Sequence, residues 1–251
     1  MNRRLIFTVD LDRDVNLSIE GRVEAGSIDR GQGTEPRFSS TEKGLDLLLD
    51  ILDDIGMKAT FFVEGHTAQV VDCSSVSGHC IGFHGYDHED LTKVDNLSDV
   101  MDRGYSAVKD SISAPTCFRA PYMTIDDRVY EELERLGIHH DSSVYGPPDS
   151  SPYEVGKIME HPVAKGKDAN GKTIAAYLWP MHEGKRKPSD YVHLAMCTEG
   201  DIVLCTHTWH LVESRDDGIM DEDSLRNNLN NTRETLIGII DAGFRPAVIT
   251  E

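Results

Sequence analysis

At 251 residues the chain is long enough for two small domains or for one α/β barrel, to which such a length is ordinary. Its 44 acidic against 25 basic residues leave a formal charge of -19, which disfavours nucleic-acid phosphates and anionic membranes as partners, and the densest basic run, GKRKP at 184–188, is too short to reverse that locally. No apolar core of signal-peptide length follows Arg3 and Arg4 and no later run approaches a membrane span, so a cytoplasmic protein is expected, with its acid excess on a solvated surface and its five cysteines, odd in number and without CxxC spacing, as core thiols.

Short runs rich in β-branched and aromatic residues alternate with longer amphipathic ones. The first strand is LIFTVD (5–10). The first helix follows in TEKGLDLLLDILDDIG, with Leu45, Leu48, Leu49, Leu52 and Ile55 on one face and Ser39 with Glu42 three residues later as a capping box. Further strands are ATFFVEG (59–65), CIGFHG (80–85), CFRAPY (117–122), HHDSSV (139–144), IAAYLWP (174–180), DIVLCTHTW (201–209) and PAVIT (246–250). Three helices close on a glycine and feed a strand, in IGMKATFF, LGIHHDSS and AGFRPAVIT, the punctuation of helices returning to parallel strands. Parallel strands joined by helices make a doubly wound sheet or a barrel. No repeat or linker interrupts the pattern, so residues 1–251 read as a single domain; the aperiodic stretches Arg13 to Ser39 and Gly146 to Lys172 read as long loops walling a groove.

The stretch FTVDLDRD sets three carboxylates, Asp10, Asp12 and Asp14, at alternate positions after the first strand. A phosphatase of the haloacid dehalogenase type would also need a downstream lysine and an acidic motif after a later strand, where EGDIVLC supplies only Asp201 at a strand's start. A calcium loop counted from Asp10 would need glycine and glutamate where Val15 and Gly21 stand. A catalytic metal site needs nitrogen donors, and IGFHGYDHEDL provides His84 and His88 beyond a strand, two imidazoles able to converge with a carboxylate on one cation. Taken alone, this pair equally describes two histidines on a polar loop.

FRAPYM at 118–123 and THTWH at 206–210 also end strands. The order TVDLD, HGYDH, FRAPY and LCTHTWH resembles that of the NodB-homology polysaccharide deacetylases, carbohydrate esterase family four, from Thr8 to the terminal GFRPAVITE. The resemblance implies a distorted (β/α) barrel, usually of seven strands, with its site at the C-terminal strand ends. It implies Asp10 as general base, Asp12, His84 and His88 as ligands of one divalent metal ion, and Arg119 as the arginine that keeps the base charged. Pro121 and Tyr122 match the rest of that motif, the Tyr122 backbone N–H assisting an oxyanion. His207 matches the general acid, with His210 as a rival three residues on. Trp209 and His66 are further candidates to line the substrate site. The family's Asp-Trp pair is missing, and Asp141 lies in the region where a group orienting the acid would be expected.

Leu11, between Asp10 and Asp12, departs from the family's commonest first motif and resembles its VDxD-type branch, which acts on diverse amides. The donor set suits zinc first, with iron, cobalt, nickel or manganese also accommodated. The implied reaction removes an acyl group, acetyl by default, from an N-acylated amino sugar or a related small amide. Its rivals are a non-catalytic carbohydrate- or metabolite-binding module on the same barrel, and a deformylase or linear-amide hydrolase of the superfamily.

Overall fold

In the computed structural model, which describes residues 3–14, 36–215 and 218–251, the elements follow in chain order. They are β1 (Arg4–Leu11), α1 (Ser39–Ile55), β2 (Thr60–Val63), α2 (Gly65–Val70), β3 (Cys80–Phe83), α3 (Leu97–Ser111), β4 (Cys117–Phe118), α4 (Asp127–Leu136), β5 (His140–Asp141), β6 (Tyr145–Gly146), β7 (Tyr153–Val155), β8 (Ile158–Glu160), β9 (Val163–Lys167), β10 (Thr173–Ala175), α5 (Trp179–His182), α6 (Pro188–Met196), β11 (Ile202–His207), β12 (Glu213–Ser214), β13 (Gly218–Ile219), α7 (Glu222–Asp241) and β14 (Arg245–Ala247). Seven strands run parallel in the spatial order β11-β1-β2-β3-β4-β5-β8, with β14 beside the start of β1 and β7 folded back on β8. β1 is buried along nearly all its length, as a strand covered on both faces must be.

The ring closes through an irregular seam. β6 and β9 carry the lines of β5 and β8 onward and pair with each other, and β10 folds back antiparallel on β9. The chain beyond β10 then reaches β11: Ala176 N–H donates to the Ala164 carbonyl (2.7 Å), Cys205 N–H to the Ala176 carbonyl (2.8 Å) and Leu178 N–H to the Cys205 carbonyl (2.8 Å). This is the distorted barrel that the sequence motifs implied. The seam also corrects two expectations. Residues 146–172 are no long loop but carry β7, β8 and β9, strands of three to five residues whose pairing is non-local and leaves no periodic trace. The run IAAYLWP leaves the strand at Ala175, and Pro180 falls in the first turn of α5, where a missing N–H costs nothing. Of the other expected loop, residues 15–35 lie outside the described residues.

α1 buries Leu45, Leu48 and Leu52 and leaves Leu49 and Ile55 partly covered. No Ser39–Glu42 capping box forms. The buried Asp14 carboxylate does that work from outside the helix, accepting from Ser40 N–H (3.1 Å) and Thr41 N–H (2.7 Å), so orphan amides of the first turn are satisfied by a charge already at the end of β1. Asp14 is therefore a buried cap of α1. Gly56 and Gly137, at φ 69° and 75°, end α1 and α4 in the left-handed conformation, as their sequence contexts indicated. All five cysteines are free thiols, and among the described residues no helix is long and apolar enough to cross a membrane.

α1 sits directly on the turn that follows β11. A Cβ at Gly44 would lie 2.0 Å from the Thr208 carbonyl oxygen, and backbone cannot yield as a side-chain tip can. Gly44→Ala is expected to lose about 1–3 kcal/mol of stability by overpacking. Denaturant melts of the two proteins measure this, and an unchanged midpoint would mean that helix and turn are not in contact.

Candidate active site

Alternation along β1 turns Thr8, Asp10 and Asp12 toward the same side, into the barrel mouth. There they meet Arg119, one residue beyond β4 and fully buried. Its Nη1 donates to Asp10 Oδ1 (2.8 Å) and Thr8 Oγ1 (2.9 Å), its Nε to the Ser142 carbonyl (2.8 Å) and its Nη2 to Ser142 Oγ (3.0 Å). The guanidinium lies 4.4 Å above the Phe62 ring. Burial works against a charge on Asp10, but Arg119, His84, His207 and the Tyr177 hydroxyl outweigh it and hold the carboxyl far below its usual range.

Asp12, His84 and His88 are all buried, and one donor atom of each lies within 4.8 Å of the others. His84 Nδ1 donates to the Arg119 carbonyl (2.7 Å), which leaves the Nε2 lone pair available to a cation. His88 Nε2 is 3.4 Å from Asp12 Oδ2. Burial lowers both imidazoles from their ordinary value and so keeps them neutral, the form that binds metal. Two backbone features bring His88 back beside His84. Gly85 takes φ 70°, with Pro121 Cγ only 3.2 Å from where a Cβ would stand, and His88 itself takes φ 54°. One carboxylate oxygen and two imidazole nitrogens in a buried cluster fit a divalent ion of the first transition row.

Pro121 is buried, and Tyr122 sets its ring edge-on to His88 with centroids 4.4 Å apart. Tyr122 and Met123 both adopt left-handed backbone, at φ 61° and 53°, a strain that places the Tyr122 main chain at the mouth. His207 ends β11 in register with Asp10. Its Nε2 is 3.9 Å from Asp10 Oδ2, 3.9 Å from Asp12 Oδ2 and 3.2 Å from the Tyr177 hydroxyl. Burial pushes this imidazole down to about 3, against the pull of Asp10.

His210, the rival in the sequence, stands behind it. Its Nε2 bonds Glu183 Oε1 (2.9 Å), an oxygen that Arg215 also holds, and its ring centroid is 6.4 Å from that of His207. Trp209, a candidate to line the site, is stacked on His210 at 4.3 Å and only 3% exposed, which makes it packing behind His207. His66 stands at the rim, its Nδ1 3.0 Å from Asp87 Oδ1 and its ring between Phe38 and Tyr86. Tyr177, Ser142 and Glu183 belong to this constellation and were not foreseen. Tyr177 lies within a run read as a strand, but nothing in its neighbours marks it as polar machinery.

Residues 29–140 match the sequence model of the polysaccharide deacetylase family. A peptidoglycan deacetylase-like protein of Gibberella zeae is 35% identical over 112 residues, which make 41% of this chain and 33% of that protein. The matched stretch thus spans about a third of that relative's length. Other curated relatives are named as chitin and peptidoglycan deacetylases. Among solved structures, a Mycobacterium smegmatis protein classed with the polysaccharide deacetylases superposes with a TM-score of 0.66 at 23% identity, over 98% of this chain and 87% of that one. A family 4 carbohydrate esterase from Streptomyces lividans, in complex with acetate, gives 0.58 at 14% identity, over 99% and 93%.

Asp141, expected near the late histidine, stands elsewhere. Its Oδ1 accepts from Ser143 Oγ (2.7 Å), which in turn accepts from Ala120 N–H (2.8 Å), while the buried Glu160 lies beside it and takes the Tyr130 hydroxyl (3.0 Å). It steadies the turn that carries Arg119, while the group that meets His207 Nε2 is the Tyr177 hydroxyl. Burial first, and the neighbouring Glu160 second, raise the Asp141 carboxyl well above its ordinary value. The folded state therefore keeps a proton that the unfolded chain releases, so this group's contribution to stability is lost as pH rises. Asp141→Asn, which keeps the acceptor oxygen, is expected to flatten the fall in Tm between about pH 5 and pH 8. Thermal melts across that range decide it; parallel curves would show that Asp141 ionises as in the unfolded chain.

Proposed function

We propose, from the match of residues 29–140 to the polysaccharide deacetylase family, that the chain is a member of that family and a metal-dependent hydrolase that removes acetyl groups from the amide nitrogens of an amino-sugar polymer of the chitin or peptidoglycan class. The observation that carries this reading is the buried Asp10–Arg119 pair set beside the Asp12, His84 and His88 cluster with His207 across the mouth. The names of the curated relatives support the substrate class, and acetate in the Streptomyces lividans esterase supports acetyl as the acyl group.

In this reading Asp12, His84 and His88 hold one divalent ion, zinc or a neighbour of the first transition row, which when bound supplies Lewis acidity to the amide carbonyl and acidity to a water. Asp10 receives that water's proton. Arg119 occupies Oδ1 and keeps the carboxylate ionised, so Oδ2 is the oxygen that accepts. The Tyr122 N–H donates to the carbonyl oxygen as charge develops on it. His207 delivers a proton to the departing nitrogen, without which an amide C–N bond does not break near neutral pH.

Metal content and acetate release from N-acetylglucosamine oligomers test the proposal together. Wild-type protein is expected to carry about one metal per chain and to stop releasing acetate on chelation, while folded Asp12→Ala and His84→Ala lose both metal and activity. Asp10→Asn should keep the metal and lose roughly 10²- to 10⁴-fold in kcat. Metal retained in both ligand variants, or acetate release unaffected by Asp10→Asn, would overturn it.

A further inference from the structure

Tyr177 lies two residues past β10, where the seam crosses onto β11 and its backbone bridges to Cys205. That crossing puts its ring 5.3 Å from the His207 ring, with the phenol oxygen hydrogen-bonded to Asp10 Oδ2 and 3.2 Å from His207 Nε2. The side chain is buried, so water does not compete for either bond.

A count of protons fixes the direction of both. Asp10, charged beside Arg119, can only accept, so the single phenol proton points to Asp10. Burial and the Asp10 charge raise the phenol well above its ordinary value, which keeps that proton on oxygen. The oxygen then has only lone pairs to offer His207, and Nε2 must carry hydrogen to use them. His207 Nδ1, buried and without a hydrogen-bond partner among the described residues, is left as the bare nitrogen of a neutral ring.

We propose that Tyr177 is a positioning residue that fixes the proton of His207 on Nε2, the nitrogen facing Asp10 and Asp12, and links the base to the acid. The link rests on the deacetylase reading of those two side chains. The link consists of two hydrogen bonds, from the Tyr177 hydroxyl to Asp10 Oδ2 and from His207 Nε2–H to the phenol oxygen, which hold the Nε2 hydrogen at the mouth beside Asp10 and Asp12.

The test uses zinc-loaded protein labelled with ¹⁵N-histidine, with His207→Gln identifying the His207 signal. Wild type should show hydrogen on Nε2, and Tyr177→Phe should move it wholly or partly to Nδ1. Hydrogen on Nδ1 in the wild type overturns the proposal without any variant, and so does an unchanged Nε2–H in a folded Tyr177→Phe. Kinetics separate the link from simple packing. With zinc content retained, Tyr177→Phe should lose about 10²-fold in kcat on N-acetylglucosamine oligomers at constant KM. Its loss on p-nitrophenyl acetate, whose leaving group departs without a proton, should be much smaller. Equal losses on both substrates would reduce Tyr177 to a packing role and overturn the link. A shifted tautomer in a protein that hydrolyses no acetamide would leave the proton assignment standing and sink the deacetylase reading instead.

Discussion

A guanidinium with no access to solvent, facing one carboxylate on the barrel axis, is the constraint to which the rest of the site conforms. Arg119 reaches Thr8 and Asp10 on β1, both Ser142 groups just past β5, and the face of Phe62 on β2. Its own carbonyl takes the proton of His84 Nδ1. One residue thereby holds a candidate base by its side chain and orients a candidate ligand by its main chain. An arginine buried this way is tolerable only when paired and fully hydrogen-bonded, and removing one partner of such a pair commonly costs about 3–5 kcal/mol. The strand ends that supply those partners are consequently not free to drift.

A second tier fixes the turns around that centre. Asp14 caps α1, Arg37 and Ser40 bind Glu213 beyond β11, and Gly44 lets α1 lie against the Thr208 carbonyl. The turn after His207 is thus clamped between a helix near the start of the chain and polar groups near its end. On the other side, Glu64 is buried with Arg13 and Thr67 beneath the rim that carries His66 and Asp87. Part of the acid excess is therefore structural. Asp10, Asp12, Asp14, Glu64, Asp141, Glu160 and Glu213 are interior groups, whereas the composition suggested solvated surface. Buried carboxylates demand partners, and they organise the loops that apolar residues alone would leave undetermined.

The barrel is least regular at its seam, and two unforeseen polar groups of the site, Tyr177 and Glu183, come from there. A regular strand between β9 and β11 would alternate its side chains in step with its neighbours. The segment after β10 instead changes partner within a few residues, from Ala164 to Cys205, and this turns Tyr177 into the barrel mouth and starts α5 directly afterwards. Irregular closure is what lets a phenol reach two strand ends at once.

Whatever depends on neighbours in the chain was legible from the sequence. The alternation of β1, the apolar face of α1, the glycines that stop α1 and α4, and the placing of DLD, HGYDH, FRAPY and THTWH at strand ends all follow from periodicity and turn chemistry within about a dozen residues. The tertiary structure decided the rest, because those contacts join residues far apart in sequence. Asp14 displaces the expected capping box of a helix 25 residues on, and β8 and β9 exist only through their partners. Asp141 turns to Ser143 and Glu160 while Tyr177 meets Asp10 across 167 residues. Of two histidines three positions apart, only the register of β11 against β1 selects the one that faces the carboxylates. A local pattern can bring a side chain to the end of a strand; which groups it meets there is set by how the barrel closes.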